Sequence, residues 1–419
     1  MDIKRDSKEV IVKCIGRVVL LFSWAIRASL CGLILGVIGG MFSLAITNVT
    51  GFRNTHPWML YLLPVGGLAI VAMYKLDKEK RGTNRVLEAI QSGEEVSITL
   101  APLIMFSTII THAFGGSAGR EGAALQLGGS IGENIGNVLQ LDEADKKIMI
   151  MCGMSAAFSA LFGTPLTATI FAMEVVSVGI MQYAALVPCS IAAIIGKEVS
   201  VMMGAHGEHF PVPGVTRFTS KNAIIVIVLA FLCAAISIIF CEMLHRTEHL
   251  FKTKIENEWL RVVAGAVLVI VLTKLIGTTD YLGAGMNVIE AAISGEVIPI
   301  AFLMKMIFTS ISLGSGFRGG EIVPTLFVGA TFGCLFGQIV GFNPALAAAC
   351  GMTAVFCGVT NCPISSLFLS FELFGFGCMP FFLLCVGVSY MESGYSGLYH
   401  SQKILYSKTR LKYINTKTK

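Results

Sequence analysis

Apolar runs recur along the whole chain, at residues 32–46, 58–73, 223–240, 262–276 and 381–388 among others, with charged residues gathered in short breaks between them. About 20 apolar residues span the hydrocarbon core as a helix. The pattern therefore predicts a series of membrane helices with no room for a large soluble domain. A long helix is expected over roughly residues 17–50, tilted if continuous, and a second over 57–76. A short amphiphilic piece follows at 83–92, too short to cross, and then a helix over 98–114. Short, glycine-interrupted segments between full-length spans are how broken, half-crossing helices look in sequence.

Composition sharpens this into a fold class. Of 419 residues, 54% are hydrophobic and 14% charged, with mean hydropathy +0.76, whereas a soluble domain carries about 25% charged residues. The class is an all-α polytopic membrane protein. The net charge of +5 resides largely in the tails: Lys4, Arg5, Lys8, Lys13 and Arg17 at one end, and Lys403, Lys408, Arg410, Lys412, Lys417 and Lys419 at the other. Basic flanks mark the cytoplasmic side, so both termini are expected there, and nucleic acid is not an expected partner. No small-residue cleavage site follows the first residues, which argues for a start-transfer helix. The twelve cysteines lie mostly in apolar runs without CxxC spacing or clustered histidines. They read as small apolar packers, and neither a metal nor a cofactor is expected.

The chain also repeats itself. Gly153-Met154-Ser155-Ala156-Ala157-Phe158, then Pro165 and Glu174, is matched 198 residues later by Gly351-Met352-Thr353-Ala354-Val355-Phe356, then Pro363 and Glu372. Asn84 to Glu94 resembles Asn287 to Glu296, and the glycine-dense loop at Gly115 has its partner at Gly314. Three matched blocks in one order divide the chain into a tail (1–16), a first repeat (17–204), a polar linker (205–220), a second repeat (221–410) and a basic tail (411–419). Repeat-built transporters hold their substrate at the repeat interface, with broken-helix N-termini aimed at anions. Whether the repeats are parallel or inverted depends on the number of crossings, which the residues leave open.

The first glycine loop, Gly115-Gly116-Ser117-Ala118-Gly119-Arg120-Glu121-Gly122, sets two charges between apolar runs. An unpaired charge there costs about 2.5–3.5 kcal/mol or more, so such residues are presumed functional. Glycines also let a helix restart with free N–H groups that can face an anion. A structural ion pair between Arg120 and Glu121 is the plain alternative, weakened because helix neighbours do not face each other. Glu321, in the second loop, could pair with Arg318 in the same plain sense.

These residues resemble the CLC family of anion channels and proton-coupled anion exchangers. Gly119-Arg120-Glu121-Gly122 is similar to its G-[KR]-E-G motif, and Gly319-Gly320-Glu321-Ile322-Val323-Pro324 to its G-x-F-x-P motif. Tyr399 stands where the family has a tyrosine near the C-terminus. The resemblance implies two inverted repeats with broken and re-entrant helices, a homodimer in membrane lipid, and Glu121 as gate and proton carrier. It also implies anion binding by Gly119, Arg120, Gly122, Gly320, Ile322, Val323 and Tyr399, with Thr83 and Asn84 at the inner vestibule. Tyr395 is a competing aromatic that reads as an interfacial anchor.

The departures from the family pattern point further. The usual G-S-G-I-P element is replaced by Gly82-Thr83-Asn84-Arg85-Val86, a proline by Ala123, and Glu321 enters the second loop. These changes resemble the fluoride-exporting branch, although Thr83 stands where that branch often has methionine. The proton-accepting glutamate of chloride/proton exchangers is Val175 here. The resemblance therefore implies export of fluoride in exchange for protons across the plasma membrane, protecting the cell, with Glu321 in proton transfer or in donating to the anion as a neutral acid. Glu174 and Glu372, equivalent in the repeats, are expected to share a structural role. The alternative function is a chloride-selective channel or exchanger of the same fold. A remote one is an intramembrane serine protease built on Ser117 and His112, whose G-x-S-x-G pattern lacks the strand-turn-helix setting it needs; an enzyme is not expected.

Overall fold

In the computed structural model the described residues are 3–75, 83–214 and 216–418. Met1 and Asp2 of the N-terminal tail, Gly82 of the loop before the amphiphilic piece, and Lys419 lie outside them. Eight helices come before the linker: α1 (Ile3–Thr55), α2 (Leu63–Lys75), α3 (Thr83–Ser92), α4 (Leu100–Phe114), α5 (Glu121–Val138), α6 (Glu143–Phe162), α7 (Pro165–Glu174) and α8 (Leu186–Met202). Eight follow it: α9 (Ser220–Lys254), α10 (Glu258–Ile276), α11 (Met286–Ile293), α12 (Ala301–Ser315), α13 (Ile322–Val340), α14 (Pro344–Thr360), α15 (Pro363–Phe374) and α16 (Met379–Glu392). Among the described residues six helical segments are long and apolar enough to cross a membrane. The chain is a multi-pass membrane protein.

Local chemistry sets many of the helix ends. Asp142, Thr219, Asn257 and Asn343 cap α6, α9, α10 and α14 by accepting a first-turn N–H, at 2.8, 3.3, 2.9 and 3.1 Å. Such a cap contributes about 1 kcal/mol. Prolines open α7, α14 and α15, where their missing N–H costs nothing. α3 coincides with the amphiphilic piece read from sequence. α1 outruns the expected 17–50 at both ends, and its 53 residues reach about 80 Å at 1.5 Å per residue. The last basic segment is built into a small sheet: β1 (Ser177–Val178) pairs in parallel with β2 (Lys403–Tyr406), and β2 antiparallel with β3 (Tyr413–Lys417). The rings of Tyr406 and Tyr413 meet edge-on at 5.5 Å across that hairpin.

The sequence repeat is a structural one. In each half two helices press backbone to backbone where the repeat places glycine: a Cβ on Gly153 would lie 2.1 Å from the Gly128 carbonyl, and one on Gly351 lies 2.3 Å from that of Gly329. No other residue fits such a crossing. The halves join at a buried ring cluster, where Phe171 of α7 sits 5.5 Å from Phe158 and 5.7 Å from its repeat equivalent, Phe356. They are further tied by reciprocal caps. Glu174, ending α7, accepts the N–H groups of Ile364 and Ser365 and the Ser365 hydroxyl at 3.1, 2.8 and 2.5 Å. Glu372, on α15, accepts those of Leu166 and Thr167 and the Thr167 hydroxyl at 2.9, 2.8 and 2.6 Å. Each half thus caps a helix of the other.

Two cavities show how the halves are related. A larger one of about 530 Å³ is lined by the start of α11 with Asn287, the end of α4 with His112, and the post-α8 linker with Glu208. A smaller one of about 170 Å³ is lined by the start of α3 with Asn84, the end of α12 with Gly314, and the post-α16 segment with Tyr399. Equivalent elements therefore swap cavities, as an in-plane two-fold axis requires. The repeats are inverted. The C-terminal end of α1 faces the larger cavity through Arg53 and Asn54, while the C-terminal segment faces the smaller one.

Candidate functional site

The two cavities are separated where the two glycine loops touch. Gly119 donates to the Gly320 carbonyl at 2.7 Å and Gly320 donates to the Gly119 carbonyl at 2.8 Å, a single antiparallel bridge across the pseudo-two-fold axis. Immediately beyond it α5 and α13 begin, pointing their N-termini at the middle of the molecule. The first N–H groups of a helix have no acceptor within it, and the helix dipole adds partial positive charge there. Gly122, Ile322 and Val323 occupy these first turns. The Gly320 N–H is committed to the bridge, so Gly320 serves the site by permitting close approach: a Cβ there would lie 2.4 Å from the Gly122 nitrogen.

Glu121 is the first residue of α5, buried, and faces the larger cavity together with Arg120. The ion pair doubted from sequence does form. The Arg120 Nε donates to Glu121 Oε1 at 3.3 Å and its backbone N–H to Oε2 at 3.1 Å. The reason is that Arg120 is the cap residue, at φ −116°, so the separation of neighbours inside a helix does not apply to it. The same guanidinium reaches Ser43 of α1 at 3.1 Å and Glu208 of the linker at 3.0 Å. Glu208 had no signal in the sequence, since only the fold carries the linker back to α5. Burial pushes its carboxyl above the usual range, with Arg120 opposing and the charges of Glu121 and Glu290 adding to the rise.

Glu321 stands at the N-cap position of α13 without its side chain accepting a first-turn N–H, and its environment is different. It faces the smaller cavity, where its Oε2 finds no hydrogen-bond partner among the described residues. The pairing with Arg318 is not made: that guanidinium lies over the Tyr74 ring, 4.7 Å from its centroid. Tyr399 is buried against the same cavity, and its hydroxyl likewise lacks a partner among the described residues. Tyr395 is turned away, donating to Ser407 at 3.2 Å. Asn84 lines the cavity and accepts the Ser401 N–H at 3.0 Å. The side chain of Thr83 lies outside the described residues.

Several sequence candidates are engaged elsewhere. The Ser117 hydroxyl bonds to Thr309 at 3.0 Å and the His112 Nδ1 to the Thr108 carbonyl at 2.9 Å, each held apart from the other's chemistry. Val175 is fully buried, and its carbonyl accepts from Gln402 at 3.0 Å. Lys305, inside an apolar run, is a further buried charge that sequence reasoning passed over. It donates to the carbonyls of Gly283 and Tyr281 at 2.6 and 3.3 Å, fixing the loop that walls the larger cavity. Ten of the twelve cysteines are buried and all are free.

Two inverted repeats, discontinuous helices meeting at the centre, and acidic residues facing a cavity on either side define an ion-transport protein of the broken-helix class. Residues 65–394 match the family described as voltage gated chloride channel. The chain belongs to that family. It is 32% identical over 394 residues to a chloride/fluoride channel protein of Pseudomonas syringae pv. tomato, covering 92% of this chain and 87% of that one. Among solved structures it is similar to a CLC-type fluoride/proton antiporter, with TM-score 0.88 and 30% identity over 91% of this chain and 98% of the other. A slow cyanobacterial Cl−/H+ antiporter matches with TM-score 0.77 and 19% identity over 88% and 94%, a likeness of fold.

Proposed function

We propose that the protein is a fluoride/proton antiporter that exports fluoride across the plasma membrane, with both termini cytoplasmic. The observation that carries this reading is a pair of donors-in-waiting, Glu321 Oε2 and the Tyr399 hydroxyl, both without a partner among the described residues and facing one cavity beside the α13 N-terminus. Fluoride is small and strongly hydrated, and it surrenders water only to strong donors. A neutral carboxylic acid and a phenol are such donors, and the first-turn N–H groups of Ile322 and Val323 add to them. A chloride-type site needs no acid at position 321. The names of the relative from Pseudomonas syringae and of the fluoride/proton antiporter structure support the same reading.

Glu121 is the gate in this scheme. Charged, it holds the α5 N-terminus and the Arg120 guanidinium, occupying the place an anion would take. Protonated from the larger cavity, it loses the attraction of Arg120 and vacates that place. Proton entry and anion passage are thereby coupled at one carboxylate. Gly119 and Gly122 keep the approach narrow, and Arg120 supplies positive charge to whichever anion is present. A homodimer is part of the proposal: exposed apolar side chains such as Leu166, Ile364 and Leu383 on the neighbouring α7, α15 and α16, and Phe376 in the turn between the last two, would be covered by a second copy.

Liposomes holding the purified protein test the reading. Fluoride loaded inside should leave at least about tenfold faster than chloride, a margin worth roughly 1.4 kcal/mol, and should draw protons inward against their gradient. Chloride leaving as fast as fluoride, or fluoride leaving without protons, would show the reading to be wrong.

A further inference from the structure

The antiport reading needs a group that receives the proton on the side of the chain ends, and Val175 removes the carboxylate that could have stood at the end of α7. The smaller cavity offers another. Its lining, which includes Glu321, also carries His245 of α9 and His400 of the C-terminal segment, with ring centroids 3.8 Å apart. They are two of only seven histidines in the chain, brought from 155 positions apart to the cavity that also holds the Glu321 oxygen left without a partner among the described residues. His245 is half-buried and His400 is exposed, so the pair spans from the cavity to bulk solvent. At about 170 Å³ the cavity is roomy enough to admit water.

From this juxtaposition we infer that His245 and His400 form the proton acceptor that carries protons from Glu321 out through the smaller cavity. Glu321 breaks its O–H bond, the proton crosses a water to an imidazole nitrogen, and Glu321 is left as the carboxylate. The resulting imidazolium then loses the proton to solvent. Only one ring of so close a pair carries charge at a time, which drives the second transfer outward. Burial and the neighbouring ring oppose a lasting charge on His245, while Glu248 and Glu242 on α9 offset that opposition in part. Both acids are themselves shared, Glu248 with Lys252 at 2.5 Å and Glu242 with Arg246, and Arg318 lines the same cavity.

The inference rests on the antiport reading, and its test separates the two. In liposomes of the full-length protein, wild type and H245Q/H400Q are compared for fluoride efflux and fluoride-driven proton uptake, with the pH varied only on the chain-end side. The double variant is expected to keep releasing fluoride while proton uptake falls by about tenfold or more. Dependence on chain-end pH between about 5 and 8 should disappear with it. H400Q alone, at an exposed position, should lose part of the proton flux, and H245E/H400Q should regain some by restoring a titratable group. A proton-to-fluoride ratio equal to wild type in the double variant, whether both fluxes are intact or both reduced, overturns the relay. A wild type that moves fluoride with no protons overturns the antiport reading instead.

Discussion

The loops that open α5 and α13 share a backbone and differ in the company their acids keep. Each supplies one glycine to the central bridge and one glutamate just past it. In the first loop Glu121 is held by Arg120, which is itself held by Ser43 and Glu208. In the second, Arg318 is drawn off to Tyr74, and Glu321 keeps an oxygen without a partner among the described residues. Duplication thus gives the same geometry twice, and the neighbours decide what each copy does. An acid tethered to a cation is suited to switching between two places, whereas one left unsatisfied in a cavity is suited to meeting a ligand or passing a proton.

The sharpest test of that contrast removes each acid in turn. Glu121→Gln should cut fluoride-driven proton uptake by about a hundredfold or more, since the coupling acid is gone. Glu321→Gln should cut it by about tenfold and should also erode the preference for fluoride over chloride, because a strong donor is lost. Flux assays that gave the two variants equal losses of both kinds would collapse the distinction.

The bridge itself comes next in size. A methyl at Gly320 would meet the Gly122 backbone nitrogen at 2.4 Å, whereas one at Gly119 first meets the Val323 Cβ at 3.0 Å. Backbone cannot give as a side chain can, so Gly320→Ala should destabilise by about 1–3 kcal/mol and Gly119→Ala by less. Thermal unfolding in detergent would rank them.

The reciprocal caps predict near equality. Glu174→Gln and Glu372→Gln each lose one charge-assisted set of bonds to a helix start, and each should cost about 1–2 kcal/mol. Glu174, the more buried, should cost slightly more. Matching losses of thermal stability would confirm that the two halves cap each other as equals.

The smallest effect belongs to Lys408 in the C-terminal segment. Burial lowers Lys408 from the usual lysine value to about 8. Its folded-state pKa is depressed, so below about pH 8 the charged form carries its full desolvation cost. Stability should then rise with pH between about 8 and 10.4, where the unfolded chain still binds the proton. Lys408→Met should flatten stability across that window, read from unfolding at stepped pH.

Much of this architecture could be read in the sequence because it is written twice. The 198-residue offset from Gly153 to Gly351 fixed equivalent helices, and the amphiphilic piece at α3 ended where its polarity did. Glu121, Glu321 and Tyr399 were found because charge or a phenol stood out within glycine-rich or apolar stretches. What escaped was contact between distant segments. Glu208 gave no local sign of reaching Arg120, and the Arg120–Glu121 pair depended on a cap conformation that spacing rules do not cover. His245 and His400 carry no shared pattern, and the hairpin of β2 and β3 hid inside what read as a basic tail. Histidines facing a glycine loop across a repeat boundary would have been the one usable signal.

The two hydrogen bonds between Gly119 and Gly320 also have an electrical consequence. Water-accessible cavities on both sides make this the thinnest insulating layer in the molecule, so the membrane voltage should fall chiefly across it. A charge carried past those glycines works against about 2.3 kcal/mol for each 100 mV, while movement within either cavity costs little. Currents recorded from oriented membranes should therefore report the passage of the bridge and almost nothing of the approach to it.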